Sequence, residues 1–252
     1  MKLEIICRTN KLPNFYQNRF YSLIQREIDK VKDIEVKKKL KTTLFSFAFL
    51  FDKFEIKKGD IKINHDLQIE DDIYFLEGKQ RFIIRSCNEF LLEYLNLVFT
   101  HLDTFDFSEY NLFTCNSQKV FIKFLKSEII KENEITKNKI KLKTLSSIIL
   151  TDSKHSEVSI FDNLDYYNEI FNKRCSLKIQ AIKKRDLFLP LKITPVEIEK
   201  TKTKHLFKTE MLVFNGFKGS FILEGNYKDL DLLFRVGLGN RNSQGFGMVD
   251  YE

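Results

Sequence analysis

Tryptophan is absent from this 252-residue chain, and methionine (3), proline (3), cysteine (4) and histidine (4) are scarce. Cys7, Cys87, Cys115 and Cys175 lie far apart with no C-x-x-C pair, which argues against a disulfide framework and a zinc site. Reduced thiols, and with them a cytoplasmic location, are the simpler expectation. No Ser-His-Asp or Cys-His arrangement emerges from the histidine spacings, and no metal constellation or cofactor motif is evident. Long apolar runs are missing too. Leu44–Phe51 is the longest, far short of the roughly 20 residues a membrane helix needs, and it reads as a buried strand. The N-terminus lacks the apolar stretch of a signal peptide. Lysine is abundant instead: the formal charge is +7, consistent with a polyanionic partner.

Glycine is rare and unevenly placed. Seven of the nine glycines lie at or after Gly216, four of them in Gly237-Leu238-Gly239-Asn240-Arg241-Asn242-Ser243-Gln244-Gly245-Phe246-Gly247-Met248. Such clustering means positive φ or close backbone approach. Backbone N–H groups crowded beside Arg241 suit an anion cradle. A helix C-cap running into a tight turn is the competing reading. A helical spacing precedes the loop (Leu230, Leu233, Phe234, Val236) and a short strand follows it (246–251). Phosphate-binding dinucleotide and P-loop motifs run in the reverse order, so a nucleotide cofactor is not expected.

The pattern upstream predicts β-α-β-β-α-β. Strands are expected over 2–8, 43–56, 60–63, 73–76, 81–85 and 112–125. Helices are expected over 14–31, with Asn14 as N-cap and Phe20, Leu23, Ile24 and Ile28 inward, and over 88–101, with Phe90, Leu91, Tyr94, Leu95 and Val98 on one face. Glu70-Asp71-Asp72 reads as a solvated turn. The charged, aperiodic stretch 131–139 marks a boundary between domains at 1–130 and 139–252. The second half repeats the theme, with strands at 140–150, 177–182, 197–208 and 210–224 and a helix at 162–174. The fold expected is α+β, two tandem ferredoxin-like (RRM-like) domains with antiparallel sheets.

In Lys200-Thr201-Lys202-Thr203-Lys204-His205, period two places Lys200, Lys202 and Lys204 on one face. Three ammonium groups in a row suit a phosphate backbone, and equally a guarded, solvated edge strand. Arg174, Lys183, Lys184 and Arg185 are weaker candidates for the same role.

The glycine string, ending in Gly-Phe-Gly-Met, resembles the C-terminal signature of the CRISPR-associated repeat-processing endoribonucleases, members of the RAMP superfamily. Leu142–Ile149 is similar to that family's Leu-Ser-Pro strand, with Ser147 in place of Pro. Leu12-Pro13 and Phe20–Ile24 are similar to its opening loop and first helix. The resemblance implies two ferredoxin-like domains, binding of CRISPR repeat RNA as monomer or homodimer, and association with a CRISPR effector complex as a further partner. It implies RNA contacts from Lys200, Lys202, Lys204 and His205, and from Gly237, Gly239, Asn240, Arg241, Ser243 and Gly245. It also implies metal-free cleavage by the RNA's own 2′-hydroxyl, leaving a cyclic phosphate.

The chain departs from the family where a histidine is usual, shortly after the first helix: no histidine precedes His65. That segment holds Lys37, Lys38, Lys39 and Lys41. Lys39, Lys41 and Tyr21 on the first helix are the candidates for chemistry, and a solvated lysine connection is the alternative. With ordinary pKa values near 10, Lys and Tyr are poor bases at neutral pH, although a lysine can stabilise an oxyanion and donate a proton. An RNA-binding relative without catalysis is therefore the alternative function.

Overall fold

Alternating burial makes Lys2–Arg8 a strand, β1, at the centre of the first sheet. The computed structural model describes residues 1–63, 67–107, 114–207 and 210–252. After β2 (Lys11–Pro13) comes α1 (Gln17–Asp29), which buries Phe20, Leu23, Ile24 and Ile28 as their spacing predicts. Asn14 does not cap it. Tyr16 holds the N-cap position, and Asn14 Oδ1 accepts from the Tyr74 hydroxyl at 3.2 Å.

The lysine run is not a connection but a helix, α2 (Ile34–Lys41). Only Leu40 is buried, so no apolar period announces it. Asp33 caps it by accepting from the Val36 N–H at 2.9 Å, and Lys38, Lys39 and Lys41 favour its C-terminal dipole.

The strand expected over 43–56 is two strands in different sheets, β3 (Phe45–Leu50) and β4 (Phe54–Ile63), parted where Asp52 and Lys53 turn outward. The fragments at 60–63 and 73–76 belong to a ten-residue pair, β4 with β5 (Leu67–Leu76). β6 (Gln80–Ser86) leads to α3 (Glu89–His101), which buries Leu91, Leu92, Leu95 and Phe99 and leaves Phe90 at the surface, a face rotated from the one expected. β7 (Thr104–Asp106), β8 (Thr114–Cys115), β9 (Gln118–Lys119) and β10 (Phe121–Ile130) complete this half. His65, Leu112 and Lys208 lie outside the described residues. The sheet order β3-β6-β1-β10-β7 contains the ferredoxin-like arrangement, with β7 as an extra edge; β2-β5-β4-β8-β9 form a second sheet.

The second half comprises β11 (Lys139–Thr144), α4 (Leu164–Lys183), β12 (Lys192–Phe207), β13 (Glu210–Glu224), α5 (Tyr227–Val236) and β14 (Val249–Tyr251), in the order β12-β13-β11-β14. This is the ferredoxin-like order again. The strand expected at 177–182 is instead the last part of α4. Tyr167, Phe171, Cys175 and Ile179 are buried at every fourth position, a helical register that crosses Leu177. β11 ends at Thr144, six residues earlier than expected, because the chain then turns to meet the glycine loop. β14 is shortened to Val249–Tyr251 for the same reason. No helix among the described residues is long and apolar enough to cross a membrane.

One apolar core runs from Leu3 to Phe124 and another from Ile135 to Val249. Among the described residues, ion pairs of Arg85 and Lys204 join the halves. Arg85, fully buried on β6, reaches Glu132 (2.6 Å), Asp250 (3.0 Å) and the Val249 carbonyl, with its guanidinium 4.3 Å from the Phe234 ring centroid. Lys204 on β12 donates to Asp71. The Glu70–Asp72 segment is thus no solvated turn: it lies in β5, and Asp71 is buried.

Candidate nucleic-acid interface

Three of the four glycines in the string do not hold out their N–H groups as a free cradle. The Gly237 N–H donates to the Leu233 carbonyl as a helix cap, Gly245 N–H to Asn242, and Gly247 N–H to Ser147, at 2.8, 3.1 and 2.8 Å. The Leu238 and Asn240 N–H groups bond Gly247 and Ile149, and Met248 N–H bonds the Ser146 hydroxyl. Every glycine of the string has positive φ and is buried. The anion-cradle expectation is therefore corrected for these amides: their acceptors are the protein's own. The loop and the Leu142–Ile149 segment, two of the motifs that carry the family resemblance, bind each other.

What the loop offers outward is side chains. Arg241 is exposed in the left-handed region (φ 56°), its guanidinium 4.5 Å from the Phe214 ring centroid. Asn240 accepts from the Thr151 N–H at 3.0 Å, and Ser243 is half-buried. The loop's inner side docks on the N-terminal half, where Gly245 lies against Phe47 of β3 and Gln17 of α1.

Two hollows flank this joint. A cleft of about 520 Å³ between the halves is lined by Tyr16, Phe49, Arg81, Ser147, Lys202 and Lys218 among others. A groove of about 330 Å³ on the other side is lined by Leu44, Phe45, Arg174, Lys178 and loop residues 239–243. Among the described residues no carboxylate lines this groove, whereas three cations do: Arg174, Lys178 and Arg241. Burial lowers the pKa of Lys178 to about 8, and lowers that of Lys218 as well. Among the described residues, no three His, Cys, Asp or Glu side chains gather as a metal would require.

The basic row is divided. Lys200 and Lys202 are exposed and Lys204 half-buried, on the face that period two assigns them. Lys200 lies 3.8 Å from Asp162, and Lys204 is committed to Asp71. His205 faces the opposite way and is buried, 6.0 and 6.1 Å from the Phe214 and Phe246 ring centroids. Burial, reinforced by Arg241 and Arg19, lowers its pKa to about 4. The unfolded chain therefore binds a proton here near pH 6.5 that the folded chain refuses until about pH 4, and stability falls as pH drops across that window, by at most about 1.4 kcal/mol per unit. In urea titrations His205→Phe should flatten this dependence; an unchanged slope would assign it to other groups.

The three candidates for chemistry do not converge. Lys41 bonds Asp29 at 2.6 Å, and the Lys39 ammonium lies 5.6 Å from the Phe90 ring centroid. Tyr21 packs on the N-terminal core and lines neither hollow. Gln17 touches the loop and Asp29 holds Lys41, so the length of α1, about 18 Å at 1.5 Å per residue, separates the two ends. The chain nevertheless runs from Lys41 through Thr42 and Thr43 to Leu44 on the groove wall, a span of at most about 11 Å. Asn88 pins this passage by donating to the Thr43 hydroxyl at 3.0 Å. Lys178 was not found in the sequence because the strand assigned from Leu177 hid its helical spacing from Arg174.

Two ferredoxin-like domains are joined by a terminal glycine loop beside a cationic groove. Residues 130–251 match the family model "CRISPR associated protein Cas6, C-terminal". The C-terminal half of the chain is thus similar to that Cas6 domain. The same fold appears in a Cas6-related protein from Pyrococcus furiosus (18% identity, TM-score 0.77, covering 100% of this chain and 98% of that one). It appears also in a RAMP protein described as binding different RNA substrates (17%, 0.76, 100% and 99%) and in a CRISPR-associated Cas6 protein (19%, 0.71, 100% and 99%). No curated protein matches the sequence.

Proposed function

We propose that this protein binds CRISPR repeat RNA and cleaves it without metal, by attack of a 2′-hydroxyl on the adjacent phosphate to give a cyclic phosphate end. The observation that carries this reading is the groove beside the glycine loop, where three cations meet with no carboxylate. The RNA lies across the joint. Lys200, Lys202 and the groove cations neutralise phosphates, while Asn240, Arg241 and Ser243 supply hydrogen bonds. The glycines Gly237, Gly239 and Gly245 contribute by shaping the loop, and His205 by packing beneath it. A neighbouring solved Cas6 described as a product complex, of TM-score 0.58, supports an RNA-processing role for the fold.

Incubation of the purified protein with labelled repeat RNAs in EDTA tests the reading. Cleavage with a cyclic phosphate end is expected. Tight binding without cleavage across a range of repeats would leave a repeat-RNA-binding subunit, the role favoured by the missing histidine. Joint alanine replacement of Lys37, Lys38, Lys39 and Lys41 should lower cleavage far more than binding. An equal loss of both would assign α2 to holding RNA.

A further inference from the structure

Among the described residues, no histidine lines either hollow at the joint. Metal-free RNA cleavage still needs a group that can release a proton to the departing 5′ oxygen. We propose that Lys178 is this general acid, acting in the cationic groove; the proposal rests on the function proposed above.

Its position comes from α4. Arg174, Leu177, Lys178 and Ala181 share one helical face, and that face is a wall of the groove. The other two groove cations are guanidinium groups, which do not give up protons near neutral pH. Arg174 is also occupied, donating to the Thr151 carbonyl at 2.9 Å and to that of Asp152. Lys178 donates to the Gly237 carbonyl at 2.7 Å and to Asn242 Oδ1, both neutral acceptors in the glycine loop. An ammonium has three N–H groups, so one remains for a ligand after these two bonds.

The charged and titratable groups around Lys178 are few. Its own helix supplies Arg174 and Cys175, and the loop supplies Arg241. On α5, Asp229 is buried against Arg185 at 2.7 Å. The opposite wall, Leu44 and Phe45, is uncharged. Desolvation with no carboxylate partner lowers the pKa to about 8, close to where an acid works at neutral pH.

In the step proposed, the 2′-hydroxyl loses its proton to solvent and its oxygen bonds to phosphorus. The P–O5′ bond breaks, its electron pair goes to O5′, and O5′ takes a proton from Lys178 Nζ. The amine left behind regains a proton from solvent. The products are a 2′,3′-cyclic phosphate and a 5′-hydroxyl.

The test compares an all-oxygen repeat RNA with one carrying sulfur in place of the scissile 5′ oxygen, because a thiolate leaves without a proton donor. Lys178→Gln should cleave the all-oxygen RNA about 10²–10⁴-fold more slowly than the natural protein, a loss far larger than its loss of binding. It should cleave the sulfur RNA at the natural protein's rate. Lys178→Arg should behave likewise. With the natural protein alone, the all-oxygen rate should level off near pH 8 while the sulfur rate keeps rising; this keeps the proposal testable if neither variant folds. A variant as fast as the natural protein on all-oxygen RNA overturns the proposal. So does a loss that sulfur fails to restore, or a matching loss of binding. Failure of the natural protein to cleave either RNA overturns the function proposed above, and this role with it.

Discussion

Gly247→Ala should destabilise the protein by about 3–5 kcal/mol, the range of severe steric lesions. Gly247 sits at φ +70°, where an L side chain costs roughly 1–2 kcal/mol by itself. A Cβ there would also fall on the Leu238 carbonyl oxygen and on the Asn242 side-chain nitrogen. Neither can yield. The Leu238 N–H is bonded to the Gly247 carbonyl at 2.8 Å, and the Asn242 amide donates to the Leu238 and Phe246 carbonyls at 2.7 and 3.0 Å. Gly78 provides the control. Its φ is +72°, nearly the same, but nothing lies within 4 Å of a Cβ, so Gly78→Ala should cost only the conformational share. Urea midpoints measured on both variants decide the matter: equal losses would show that the loop is not clamped as described.

Arg85→Met should cost a similar amount, about 3–5 kcal/mol, by stranding partly buried charge at the joint. The guanidinium serves Glu132, Asp250 and the Val249 carbonyl at once and stacks on Phe234. Methionine keeps much of the apolar stem but leaves two carboxylates facing each other with no cation between them. The loss should also change the form of unfolding. The natural protein should melt in one step and the variant in two, because each half keeps its own core while the bridge is gone. Calorimetry that shows one sharp transition at an unshifted temperature would sink this expectation.

The fold was legible wherever one face is buried and the other wet. β1, α1 and β13 stand close to where periodicity puts them, and the two ferredoxin-like orders followed. The failures share a physical cause, since each is an element whose pattern is set by something outside itself. α2 buries one residue, so capping and charge define it rather than an apolar stripe. α4 carries polar residues on the face that lines a groove, which broke its apparent period after Arg174. Asp71 looked solvated because its partner, Lys204, is 133 residues away. The site was legible in part. The glycine string correctly marked positive φ and close approach, but which atoms approach cannot be read from spacing. They are the chain's own carbonyls and the rings of the opposite half.

The tie made by Arg85 limits how this architecture can be recombined. The residue belongs to the first half, yet two of its three acceptors sit on the last strand of the second. Phe47 and Gln17 likewise shape the seat for Gly245. A chimera that grafts a relative's C-terminal module onto this N-terminal one must therefore transplant the seam as well. A crossover placed in the charged connector near residue 135, however convenient there, would divide what the molecule uses as a single joint.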